Sequence, residues 1–344
     1  MKAAVVKEHG GLDVLEITEV DKPTISENEV LIQVKSIALN RLDIWVRRGL
    51  PTLKLEFPHV GASDFAGVIS EVGGDVKNLN VGDRVVVNAG ISCRRCYECR
   101  SGEQSLCGNF HLLGEHVWGG AAEFARVPAS NILKIPDNIT FTTAAASSLT
   151  ALTVYRMLVT QAVVRPGQIV LVTGGGGGIG TMAVQMANAL GARVIALTST
   201  LEKENKLREL GAELVINYRE DEGWSKTIYG YTGKRGVDIV VDSVGEVFWE
   251  QALRSLKKGG KLVTCGATSG FGGKTNIGLV FWKQLSILGS TMSTDKEFKE
   301  ALSMVFSGKI TPVIDSVLPL EQIKDAHEKL ESGNVMGKVV LTID

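Results

Sequence analysis

At 344 residues, 44% hydrophobic and a formal net charge of −1, the chain is long enough to bury more than one core and has no basic excess to favour nucleic acid. No apolar run approaches the length of a membrane span, and Met1-Lys-Ala-Ala-Val-Val-Lys7 reads as a short strand with a charge inside it, not as a signal peptide. The expectation is a two-domain cytoplasmic protein with no nucleic-acid or membrane partner.

From residue 1 to about 87 the pattern is short strands of alternating polarity, such as 29–34 and 81–87. Turn signals stand at Gly10-Gly11, Gly73-Gly74 and Gly82-Asp83. No crossover helices separate them, so a mostly antiparallel β domain is predicted. Within it, 40–49 reads as a short helix with Asn40 as a cap and Gly49 as its stop. In the stretch 58–67, which includes His59, Ser63 and Asp64, glycines and polar residues interrupt what should be a core, and a plain loop and a functional segment both stay open.

Four of the five cysteines lie close together, as Cys93, Cys96, Cys99 and Cys107. The spacing C-x2-C-x2-C-x7-C brings four thiolates within reach of one tetrahedral ion, which describes a structural zinc site with no open position. An iron–sulfur cluster more often shows a tighter fourth spacing, and disulfides conflict with a reducing compartment. Glu115 and His116 then form a neighbouring acid–imidazole pair. For His116 a catalytic role and a plain surface or core role both stay open.

Beyond Pro136 the texture changes, with a helix of small residues over 142–157. Next comes Ile169-Val-Leu-Val-Thr173, followed by the run Gly174 to Gly178, Ile179 and Gly180. Ile179, Met182, Ala183, Met186, Ala187 and Leu190 then recur at helical spacing, giving strand, tight turn, helix. Gly175, Gly177 and Gly180 fit G-x-G-x-x-G. The first glycine permits the turn, the second lets a pyrophosphate approach the backbone, and the third lets helix and strand pack closely. Gly178 and Ile179 open the helix, whose free N–H groups favour phosphate. A merely flexible loop is the alternative. Strands at 194–197, 214–217, 237–242, 261–265 and 285–288 alternate with helices, predicting a doubly wound parallel sheet of six strands. Ser243 and Gly266, each just past a strand, join the candidate cofactor-binding residues.

About 20 residues past the glycines, an NAD site carries an acid that binds the ribose 2′-hydroxyl. Here Thr198 stands instead, followed by Ser199 and Thr200. Ser199, Thr200 and Lys203 can donate to a 2′-phosphate, and Tyr218-Arg219 lies on the same sheet edge, so NADPH is favoured over NADH. A helix-capping role for the same residues fits an enzyme that takes both.

This order of parts resembles the medium-chain dehydrogenase/reductase family over essentially the whole chain. Met1-Lys-Ala, Gly82-Asp-Arg-Val85 and Gly337-Lys-Val-Val340 also look like family segments, and the cysteine lobe at about 90–110 is similar to the structural-zinc lobe of zinc alcohol dehydrogenases. The resemblance implies an α/β protein with a GroES-like, mostly-β catalytic domain over 1–150 and 291–344 and a Rossmann domain over 151–290. In zinc alcohol dehydrogenases a catalytic zinc is held by a Cys, a His in a G-H-E stretch and a further Cys. By that resemblance the matching positions here are Asn40, Ser63 and about Leu149, which cannot hold zinc. Asp64 stands where the motif has Glu. Asn40 with Asp43, Ser63-Asp64 and Ala66-Gly67 instead resemble the quinone oxidoreductase and enoyl reductase branch, and Tyr218 resembles that branch's NADPH site.

The reading is an oxidoreductase with one structural zinc that reduces an activated double bond or quinone without a catalytic metal. Asn40 and the cofactor ribose hydroxyls are candidate donors to the substrate oxygen, and the proton comes from a side chain, with Asp43, His59 and His116 as candidates, or from water. Zinc-type alcohol or aldehyde dehydrogenation and NADPH binding without turnover are the alternatives. An apolar edge strand at 285–291, beside Phe281-Trp282, is expected to pair with a second subunit in a homodimer or homotetramer.

Overall fold

The structure, a computed structural model, describes residues 1–50 and 53–344. It divides into two compact units, one of residues 1–149, 293–308 and 312–344, the other of residues 150–292 and 309–311.

The first unit is built on the strand Glu29–Ala38, whose alternating Val30, Ile32 and Val34 are fully buried. It pairs antiparallel with Asp64–Val72, with Phe124–Pro128 and with Lys338–Thr342 near the carboxyl end. The 58–67 stretch is therefore not a loop throughout. Asp64 opens a nine-residue strand, and the glycine inside it, Gly67, lies where a Cβ would collide with the Gln33 carbonyl of the neighbouring strand. Local composition suggested a turn, but the glycine serves close strand approach.

The second unit holds a six-stranded sheet, all parallel. Its order is Leu214–Asn217, Arg193–Thr198, Ile169–Val172, Val237–Asp242, Leu256–Thr264, Ser286–Gly289. The central strands are apolar on both faces, with Leu171, Val240 and Leu262 at 0% exposure, as a sheet covered by helices on both sides requires. The order reverses between Ile169–Val172 and Val237–Asp242, the switch point at which such sheets bind ligands beyond the strand carboxyl ends.

Two helices start or stop away from their predicted ends. The helix expected at 248–256 runs Glu246–Ser255, and Leu256 already belongs to the next strand, where it pairs with Val237. The helix expected at 142–157 runs Phe141–Tyr155 and continues into a π-helical turn, Arg156–Gln161. Among the described residues no helix is long and apolar enough to cross a membrane.

Candidate active site

Sheet register assembles the polar cluster of the first unit. Ala38 lies opposite Asp64 on one side and Val340 on the other. Directly paired residues share a face, and so do residues two apart, so Asn40, Asp64 and Lys338 fall on the same face at one sheet end.

There Lys338 Nζ donates to Asn40 Oδ1 at 2.6 Å and to Asp64 Oδ2 at 2.9 Å. Asn40 Nδ2 donates to the same Asp64 oxygen at 2.9 Å, and the Leu149 backbone N–H donates to Asp64 Oδ1 at 2.6 Å. Asp64 is 0% and Lys338 3% exposed. Ser63 turns its hydroxyl away, donating to the Leu113 carbonyl at 2.7 Å. Asn40 and Leu149 thus converge on Asp64, and the cation among them is a lysine of this chain. A buried charge needs such a partner.

Asn40 occupies the N-cap of the helix Arg41–Arg48 with extended backbone, and Gly49 ends that helix as predicted. Asn40 and Asp43 form a capping box, in which the Asn40 N–H donates to Asp43 Oδ2 at 2.7 Å. Asp43 Oδ1 accepts from the Ala62 N–H at 3.0 Å. Burial pushes the Asp43 carboxyl up to about 6, against the pull of those N–H groups and of Lys338.

The candidate proton donors fare differently. Asp43 is sealed at 4% exposure and braces the backbone on both sides of the cluster. His59 is 2% exposed, with Nε2 3.2 Å from the Gly114 carbonyl, and burial lowers its pKa. It ties the short strand His59–Val60 to the turn at Gly114. His116 is exposed. Its Nδ1 accepts from the Leu112 N–H at 3.2 Å, and burial of the ring's inner side, then His111, lowers its pKa.

In the second unit Gly177 caps the helix Gly178–Ala189, so Gly178, Ile179 and Gly180 form its first turn with their N–H groups toward the sheet's carboxyl end. A Cβ on Gly180 would strike the Gly174 carbonyl, and one on Gly175 would lie 2.7 Å from the Leu197 oxygen. On Gly177 it would meet nothing nearer than 3.7 Å. Gly177 is therefore the motif glycine with no internal reason to lack a side chain, which is the position where a pyrophosphate must approach.

Ser243 lies beside Gly174, whose Cβ would come 2.9 Å from its Oγ, and Gly266 keeps close to the Ser243 carbonyl. Ser199 is half-buried past Thr198. Thr200 is the N-cap of Leu201–Glu209 and accepts from the Lys203 N–H. Its oxygen is thus engaged as a cap. The Lys203 side chain runs over Gly176, and Tyr218 is half-buried with its ring edge-to-face on Phe248 at 4.8 Å. Asp242, unremarked in the sequence, ties three strand ends together. Its carboxylate accepts from Thr173 Oγ1 at 2.8 Å, from Thr264 Oγ1 at 3.2 Å and from the Gly245 N–H at 3.1 Å.

The cysteine lobe is closed at its base by the pairing of Gly90–Ile91 with His111–Leu112. Its four Sγ atoms lie within 4.8 Å of one another. Backbone N–H groups of Cys93, Cys96 and Asn109 point at sulfur at 3.4 Å, the arrangement that suits thiolates. The donor set fits a tetrahedral zinc ion.

The sequence matches the family model described as "Alcohol dehydrogenase GroES-like domain" over residues 26–137 and that described as "Zinc-binding dehydrogenase" over 178–307. A solved structure titled as an NAD-dependent alcohol dehydrogenase is 41% identical, covers all of both chains and superposes with a TM-score of 0.96. The chain belongs to the medium-chain dehydrogenase/reductase family. Other members similar to it are an acryloyl-coenzyme A reductase of Metallosphaera sedula, 31% identical over 99% of this chain and all of that one, and the human quinone oxidoreductase, 30% identical over all of this chain and 98% of that one. Members of both kinds, alcohol dehydrogenases and reductases of activated double bonds and quinones, are thus similar over the full length. Like them, this medium-chain dehydrogenase/reductase is an oxidoreductase.

Sequence reading gave Lys338 no site role, placing it only at the start of a strand over 338–343 and in a family segment. The available signal was a lysine opening an otherwise apolar strand, a charge that burial would force into a partnership.

Proposed function

We propose that the chain is an NADPH-dependent reductase of carbonyl-conjugated double bonds or quinones, working without a catalytic metal. The observation that carries this reading is the Lys338–Asn40–Asp64 cluster. The positions matching catalytic zinc ligands present an amide, a hydroxyl and an aliphatic side chain, and the Asp64 charge is matched by an ammonium.

Bound NADPH supplies the hydride. For a conjugated alkene, hydride adds at the β carbon, the π electrons move to the carbonyl oxygen as an enolate, and a proton is taken up at the α carbon. The charge that develops on oxygen needs a preorganised donor. Asn40, half-buried and fixed on its inner side, is that donor. The burial of Asp43 and His59 favours His116 or water as the proton source.

Ser199, Lys203 and Tyr218 surround the place of a 2′-phosphate, with no carboxylate at Thr198 to repel it. Gly175, Gly177, Gly178, Ile179, Gly180, Ser243 and Gly266 line the dinucleotide's path. Cys93, Cys96, Cys99 and Cys107 hold one structural zinc in a cytoplasmic, reducing setting. The exposed Ile277, Phe281 and Trp282 on Ile277–Lys283, beside the edge strand Ser286–Gly289, are proposed to face a second copy in a homodimer or homotetramer.

The reading is tested by NADPH consumption with a panel of enones, quinones and enoyl thioesters, beside primary and secondary alcohols with NADP⁺ and NAD⁺. Turnover confined to the first group supports it. Turnover confined to alcohols supports the second reading, zinc-type alcohol dehydrogenation, which the 41% identity to an alcohol dehydrogenase structure favours. Cofactor binding without turnover on either panel would leave a non-catalytic NADPH-binding protein.

A further inference from the structure

In the cluster at the sheet end, Asp64, Lys338 and Asp43 are at most 4% exposed, whereas Asn40 is half-buried. Asn40 is therefore the member that reaches outward. The orientation of its amide is set from within. Lys338 Nζ has protons to give and no lone pair, so the atom 2.6 Å from it must be the amide oxygen. One Nδ2–H then goes to Asp64 at 2.9 Å. The amide is planar and carries a second Nδ2–H, which no hydrogen bond among the described residues uses.

We propose that Lys338 is a positioning residue for the reduction: by holding Asn40 Oδ1 it locks the amide so that its second N–H is offered to the oxygen of the enone or quinone. The proposal rests on the reading above, in which Asn40 is the donor to that oxygen. A residue able both to donate and to accept would tolerate the flipped amide, which turns Oδ1 outward against the developing negative charge. An ammonium does not. Drawing on the amide oxygen also makes the opposite N–H a stronger donor, because hydrogen bonds in a chain polarise one another. Lys338 does this without touching substrate, so its contribution belongs to kcat and not to cofactor affinity.

The test is a double-mutant cycle on the zinc-loaded full chain, with Asn40→Ala, Lys338→Met and the pair, measuring kcat, KM and the NADPH dissociation constant by fluorescence. Each single substitution is expected to lower kcat about 100-fold, the usual loss for one oxyanion donor, and to leave NADPH affinity within about twofold of the wild type. The double variant should be no worse than either single, since residues acting as one unit are not additive. Lys338→Arg, which also only donates, should recover part of the lost kcat. Where Lys338→Met fails to fold because Asp64 is left charged and unpaired, Asp64→Asn/Lys338→Met removes both charges and takes its place.

Losses that multiply, to about 10⁴ in the double variant, would overturn the proposal by showing that Lys338 acts independently of Asn40. So would weakened NADPH binding with kcat unchanged, which assigns the ammonium to the cofactor. The cycle is read on whichever acceptor the wild type turns over. Activity on alcohols alone would sink the reduction reading, while coupling or its absence would still decide what Lys338 does for Asn40.

Discussion

Gly175 and Gly180 owe their missing side chains to the protein itself, whereas nothing inside the protein crowds Gly177, as the proposed dinucleotide site requires. Gly177→Ala, at φ −84° with no atom in its way, should keep the wild-type melting temperature and weaken NADPH binding at least tenfold. Gly180→Ala, driven into the Gly174 carbonyl, should lose the fold, and melting curves with a cofactor titration separate the two. Buried titratable groups give a second prediction. His327 is 4% exposed, and burial, then Arg47, lowers its pKa to about 3. Below about pH 6.5 the unfolded chain therefore binds a proton that the folded one refuses, and stability falls as pH falls. Asp43, raised to about 6, has the opposite sign, contributing stability at low pH that is lost as pH rises through about 6. Relative to the wild type, His327→Leu should gain about 2 kcal/mol between pH 8 and pH 5, measured by urea unfolding at each pH. A gain equal at both pH values would contradict this. At this scale the glycine motif was legible because its meaning is local. The Asp64–Lys338 partnership was not, since 274 residues separate the pair and a lysine in a strand says nothing of which acid it meets.

Strands and helices were read where periodicity was strong, and misread where a single residue type serves two ends. The Rossmann strands and the helix Gly178–Ala189 came through because apolar runs and a glycine turn sit next to each other. Gly67 misled because a strand glycine that admits a neighbouring backbone looks the same as a turn glycine. Asn40 was placed as an N-cap, but nothing local told that its side chain also meets the distant Lys338 and Asp64. The cysteine lobe was legible as a ligand set from spacing alone. Its attachment was not: Arg94 pairs with Asp295 at 2.7 Å, at the start of the helix Asp295–Phe306. With so few buried apolar residues in the lobe, the proposed zinc would supply much of its order. Cys93→Ser should therefore release the metal and lower the melting temperature by roughly 5 °C or more, read by elemental analysis and calorimetry. Full stability in a metal-free variant would show that the lobe folds without it.

For the whole molecule, the sequence announced the order of parts, a β region, a cysteine lobe, a Rossmann unit and a return to β structure, because each has its own local signature. What one copy presents to another is less legible, since it depends on which apolar residues the sheet leaves outside. Phe281 and Trp282, 67% and 73% exposed, lie on the helix that precedes the edge strand Ser286–Gly289 in the chain. Sedimentation should give a dimer or tetramer at micromolar concentration, and Trp282→Glu should shift it toward monomer. A wild-type monomer would contradict that assignment. The central claim, hydride transfer without a catalytic metal, is tested most directly by counting zinc per chain in protein that is turning over substrate. One zinc, absent from Cys93→Ser, is the predicted result. Two zinc ions, with activity that falls as the second is withdrawn, would contradict the account and place a metal where Lys338 is held to act.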